Sequence, residues 1–84
     1  MIHAHDIRDV LNQVEALSGR VEAIGDDDDL YDGGLDSFGS VQLMLALEER
    51  FGIEFPDHLL TRRSFSTIRM VRDTVAALSA AEAA

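Results

Sequence analysis

The 84-residue chain has no cysteine, no lysine and no tryptophan, and only one proline. Without cysteine it can form no disulfide framework, no thiolate zinc site and no thiol nucleophile of its own. All seven basic residues are arginine, which removes Schiff-base chemistry and the lysine of a phosphate-binding loop. The longest uninterrupted apolar run covers residues 43–47, far short of the ~18 residues that cross a bilayer. The N-terminal Met-Ile-His-Ala-His-Asp lacks the basic region and apolar stretch of a secretory signal. The expectation is a protein that is not inserted in a membrane and stays in the cytoplasm.

What is present fits one small globular domain over residues 1–84, with 46% apolar and 27% charged residues. A domain of this size buries somewhat over ~60% of the surface that its unfolded chain exposes, enough for one modest core. A deep, walled active site would compete with that core, so binding or carrying is favoured over catalysis. The formal net charge of −9 is uneven: residues 22–57 hold eleven acids against Arg50 alone. Such a surface repels nucleic acid and anionic lipid and attracts basic patches on partner proteins.

Periodicity outlines an all-α small four-helix bundle with three longer helices, a short third helix and a long first loop. Ile7, Val10, Leu11, Val14 and Leu17 place a first helix at about residues 5–18, with Asp6 available as its cap and Gly19 at its end. A second helix fits residues 37–51. Leu43, Leu47 and Phe51 form its core stripe, and Phe38, Val41 and Leu45 form a second row. That row has two readings, burial against a neighbouring helix or a surface for a partner. Phe55-Pro56-Asp57 suits the start of a short third helix at about 57–61. Ser66 is the expected cap of the last helix, with Phe65 as a staple to Met70, and Ile68, Val71, Val75 and Leu78 are its buried stripe. Residues 79–84 are expected to fray. Between the first two helices, residues 19–36 make a long connection that Val21, Ile24, Leu30 and Leu35 can pin to the core.

The motif Gly34-Leu35-Asp36-Ser37-Phe38 sets a serine at the first turn of the second helix. Taken alone, Asp-Ser before an apolar run is a cap contributing about 1 kcal/mol. Here a long acidic loop delivers the serine to an exposed helix start, where free backbone N–H groups favour any phosphate attached to it.

Residues 29–38, Asp-Leu-Tyr-Asp-Gly-Gly-Leu-Asp-Ser-Phe, are followed by Leu43, Ala46-Leu47-Glu48-Glu49 and Phe51-Gly52-Ile53-Glu54-Phe55-Pro56-Asp57. This series resembles the acyl carrier proteins over nearly the whole chain. The resemblance implies a four-helix bundle with a serine at the start of its second helix. A phosphopantetheinyl transferase joins 4′-phosphopantetheine from coenzyme A to that serine. Carried over, Ser37 is the attachment site: its oxygen attacks the β-phosphate of coenzyme A in the transferase's magnesium site, with Asp36 contributing to docking or metal positioning. The pantetheine sulfur then supplies the thiol that this chain lacks.

Two departures bear on the cargo. Phe38 stands where the family's commonest motif has leucine, and Gly39 and Gln42 stand where many fatty-acid carriers have acids. The stretch 35–65 looks more like the stand-alone carriers served by amino acid:carrier protein ligases, so the implied cargo is aminoacyl. A fatty-acyl or polyketide-type carrier is the alternative. The implied partners are the transferase, a loading ligase and downstream acyltransferases, acting on a monomer. They are expected on the face of Asp36, Phe38, Gln42, Leu45 and Glu48, with Glu49 and the Arg62-Arg63 pair at its edge. A charged aminoacyl group gains nothing from an apolar cavity, so Phe38 and Met44 are free to pack tightly near the start of the second helix.

Other readings fit less well. With Gly33 as the invariant glycine of a calcium-binding EF-hand loop, Leu30 falls on the third position and Gly39 on the bidentate glutamate; no metal site is expected. A hydrolase would recruit Ser37 with His3, His5 or His58, whose spacing supports no triad. A protein-interaction bundle without a prosthetic group is the remaining alternative to a carrier.

Overall fold

A computed structural model describes residues 2–83. Helix α1 (Ala4–Leu11), α2 (Ser37–Phe51) and α3 (Ile68–Ala83) are joined through three 3₁₀ turns, Val21–Ala23, Asp57–Leu59 and Arg63–Phe65. The described residues include no strand, as expected for an all-helical chain. Helix α1 packs against both α2 and α3, and one core unites all the elements, from Ile7 and Leu11 through Leu43 and Leu47 to Ile68, Val71 and Val75.

Helix α2 has the expected ends. Asp36 caps it, its Oδ1 accepting the Gly39 N–H at 2.6 Å, and Gly52 closes it in the left-handed region at φ 64°, where only glycine is free of strain. The long connection is pinned as its apolar residues foretell: Val21, Ile24, Leu30 and Leu35 are all buried. Polar clasps reinforce it. Arg8 Nη1 donates to the carbonyls of Val21 and Ile24 at 2.8 and 2.6 Å, and its Nη2 to Asp26 Oδ1 at 2.6 Å. From the other side, Arg69 Nε donates to Asp27 Oδ1 at 2.6 Å and the Arg69 N–H to the Asp26 carbonyl at 3.0 Å. Two of the acids in the charge run therefore serve the fold.

Several local expectations are corrected. Helix α1 ends at Leu11 rather than near residue 18. Three-residue turns follow, Val14 N–H to Leu11 O and Leu17 N–H to Val14 O, each 3.0 Å. Positions 11, 14 and 17 satisfy a period of three as well as 3.6, so Val14 and Leu17 stay buried either way. Asp6 is not the cap of α1; it sits in the first turn and accepts the His3 N–H at 2.9 Å, which holds its carboxyl below the usual aspartate value.

In place of a third α-helix at 57–61 stand the 3₁₀ turns Asp57–Leu59 and Arg63–Phe65, so the expected four-helix bundle is three α-helices with two tight turns where the short third helix was expected. Pro56 lies just before the first turn, at φ −71° and ψ 156°, instead of at a first helical position. With Asp57, His58 and Leu60 exposed and Leu59 half-buried, no apolar stripe offsets the cost of nucleating a longer helix. Helix α3 is capped by Thr67, whose Oγ1 accepts the Met70 N–H at 3.0 Å, while Ser66 Oγ donates to the Arg63 carbonyl at 2.7 Å. Phe65 packs on Phe55, ring centroids 5.3 Å apart. The stretch expected to fray continues α3 to Ala83, in keeping with alanine's helix preference; Ala84 lies outside the described residues.

Candidate functional site

Ser37 opens α2 and is exposed. Its side chain makes no hydrogen bond with the described residues. The preceding carboxylate is fixed by the N-terminal turn it caps: Asp36 Oδ1 holds the Gly39 N–H, and the Asp36 carbonyl accepts the Ser40 hydroxyl at 2.9 Å. The result is a free primary hydroxyl on a rigid turn, where the first backbone N–H groups have no helical acceptor. Those groups suit a phosphodiester joined at this position, so the residues present fit a serine-linked phosphopantetheine.

Ser37 also stands at the rim of an open, largely apolar cleft of about 390 Å³. Val41 and Met44 line it from α2, and Leu60, Arg62 and Phe65 from the opposite wall. Tyr31, from the long connection, spans both sides. Its hydroxyl lies 3.1 Å from Ser40 Oγ, and its ring lies under the Arg62 guanidinium, 3.9 Å from the centroid.

The second apolar row of α2 is uncovered: Phe38 is 69% exposed, Val41 52% and Leu45 56%. Together with Leu60, 44% exposed, they leave an apolar strip on the side of Ser37. Of the two readings of that row, burial against a neighbouring helix does not hold. Phe38 does not pack with Met44 over the helix start; it points outward while Met44 lines the cleft.

The expected face is brought together in part. Asp36 and Phe38 flank Ser37 in the chain, Leu45 is exposed two turns farther along α2, and Arg62 lines the same cleft as Ser37. Gln42 is half-buried, and Glu49 and Arg63 are exposed. Glu48 lies farther along α2 beside Phe55 and Pro56, with its Oε2 accepting the Phe55 N–H at 2.9 Å. It is part of the fold's closure as well as a surface charge. Tyr31 and Ser40 escaped the sequence reading as site residues. A lone tyrosine among the acids of the connection was the available signal, but its partners nine residues onward and across the cleft are tertiary.

A family described as phosphopantetheine attachment site (PP-binding) matches residues 5–79. The chain belongs to that family. An aminoacyl carrier protein of Agrobacterium fabrum is 54% identical over 69 residues, covering 82% of this chain and 83% of that protein. D-alanyl carrier protein 2 of Lactiplantibacillus plantarum is 39% identical over 70 residues, covering 82% of this chain and 88% of its own. Among solved structures, the carrier protein from Agrobacterium tumefaciens complexed with an engineered Bradyrhizobium japonicum glycine:[carrier protein] ligase and ATP superposes with a TM-score of 0.82. That pair shares 50% identity and covers 88% of this chain and 96% of the other. The sequence resemblance to carriers is thereby upheld, and phosphopantetheine is the prosthetic group of the family to which the chain belongs.

Proposed function

We propose that Ser37 carries 4′-phosphopantetheine and that the chain, one domain over residues 1–84, presents an aminoacyl group to other enzymes without transforming it. The supporting observation is the exposed, unengaged Ser37 hydroxyl on the capped first turn of α2. When bound, the group supplies a terminal thiol that holds cargo as a thioester. The chain supplies the nucleophilic oxygen, the rigid turn and the docking surface. In the attachment step a bond forms between Ser37 Oγ and the β-phosphorus of coenzyme A. The pyrophosphate bond breaks, the nucleotide bisphosphate leaves, and the serine proton goes to a base of the transferase.

An aminoacyl cargo is favoured by the 54% identity to an aminoacyl carrier protein and by the likeness to a carrier solved with a glycine ligase. The proposed partners are a phosphopantetheinyl transferase, an amino acid:carrier protein ligase and a downstream acyltransferase. They meet a cytoplasmic monomer at Asp36, Phe38, Gln42 and Leu45, with Glu48, Glu49, Arg62 and Arg63 around that patch. The apolar cleft at Ser37 favours a second reading, a fatty-acyl carrier.

Intact mass after incubation with coenzyme A and a transferase tests the attachment. Wild type should gain one phosphopantetheine and Ser37→Ala none, with unchanged circular dichroism. A modified Ser37→Ala protein would place the site elsewhere. Loading by a glycine ligase with ATP, against medium-chain acids with an acyl ligase, then separates the two cargo readings.

A further inference from the structure

The cleft at Ser37 has an unusual charge balance for this protein. The sequence has sixteen acidic residues, yet among the described residues Arg62 is the only charged one lining the cleft. Its guanidinium is held in place by the Tyr31 ring at 3.9 Å, and Tyr31 is itself tied to α2 through Ser40 at 3.1 Å. The remaining walls are mainly apolar, with Val41, Met44, Leu60 and Phe65.

Resting on the attachment at Ser37, we infer that this cleft sorts the tip of the prosthetic arm by charge. An uncharged acyl group settles against Val41, Met44 and Leu60, whereas an acyl group bearing an α-ammonium is kept in solvent. Arg62 is the specificity-determining residue. The arm starts at the rim of the cleft, so its flexible end can fold back into it. An uncharged short chain gains there from apolar burial. An ammonium entering the same space gives up its hydration, finds no carboxylate on the lining, and meets the positive charge of Arg62. An aminoacyl group therefore stays available to an acceptor, while a discharged or mis-acylated arm withdraws. Because Arg62 is exposed, the effect is largest at low ionic strength.

Glycyl and propionyl groups are close isosteres that differ in an ammonium against a methyl, and they make the test. The holo protein is prepared with amino-coenzyme A analogues, an amide replacing the labile thioester, and mass spectrometry of wild type and Ser37→Ala confirms where the arm sits. NMR shifts of the Val41, Met44 and Leu60 methyls are then read at low salt. Propionyl should move them at least threefold more than glycyl. In Arg62→Glu the glycyl shifts should rise to at least the propionyl level, and in Arg62→Gln they should lie between. Equal shifts for glycyl and propionyl in the wild type, or an unchanged ratio in Arg62→Glu, would overturn charge sorting and leave attachment at Ser37 standing. An arm found on another residue would overturn the attachment reading and this one with it.

Discussion

The Asp36 carboxylate accepts the Gly39 N–H at 2.6 Å through Oδ1, so the acid beside the proposed attachment serine is also the cap of the helix carrying it. The two roles separate by substitution. Asn preserves a cap oxygen, so Asp36→Asn should melt within about 2 °C of wild type while its modification by the transferase slows about tenfold, a rate effect of the carboxylate's charge. Asp36→Ala should in addition lose about 1 kcal/mol, or roughly 4–8 °C in Tm for a chain of this size. Transfer to Asp36→Asn at the wild-type rate would reduce Asp36 to a cap.

Glu48 offers a similar distinction, because its carboxylate holds the Phe55 N–H at 2.9 Å. Glu48→Ala leaves that part-buried donor without its acceptor and should cost about 1–2 kcal/mol in urea unfolding, whereas Glu48→Gln, whose amide oxygen can still accept the Phe55 N–H, should recover most of that loss. A charge reversal at Glu48 thus disturbs the fold and the surface together. Glu49, exposed on the same helix, is the cleaner probe of steering. Glu49→Arg should lower the ligase association rate severalfold at low salt and little at high salt.

The exposed strip on α2 should matter to partners and not to stability. Phe38→Ser and Leu45→Ser, at 69% and 56% exposure, should stay within about 0.5 kcal/mol of wild type, yet lower kcat/KM for ligase loading about tenfold or more. Leu43→Ala, from the fully buried stripe of the same helix, should instead lose about 2–5 kcal/mol. Wild-type loading of both serine variants would remove the strip from the docking surface.

The clasp of the long connection predicts an acid-sensitive term. The Arg69 hydrogen bond holds the Asp27 carboxyl below its ordinary value of 3.8, and Asp27 in turn raises Arg69 above its ordinary value, so Arg69 stays charged throughout. A carboxyl whose folded value is depressed contributes stability above its unfolded value, and that contribution disappears as pH falls through the lowered one. Tm measured at about pH 6 should be lower for Asp27→Asn than for wild type, and the gap should close at about pH 2. A constant gap over that range would assign the effect to packing.

Much of this molecule follows from short-range pattern. Residues 42–50 are all good helix formers, and Asp36 and Gly52 bound α2 at its two ends, because cap and left-handed glycine act on their immediate neighbours. The same locality places Ser37 in the open at the first turn, and the apolar residues of the long connection have nowhere to go but the core. The choice between a helix and three-residue turns after Leu11 is not local, since both bury Val14 and Leu17. Nor is the choice of Thr67 over Ser66 as cap, which depends on how the turn Arg63–Phe65 delivers the chain. The cleft, the stacking of Arg62 on Tyr31 and the closure of Glu48 on Phe55 join side chains from different elements. Such pairings carry no sequence period, and they exist only once α1, α2 and α3 have packed around one core and set the distances between their surfaces.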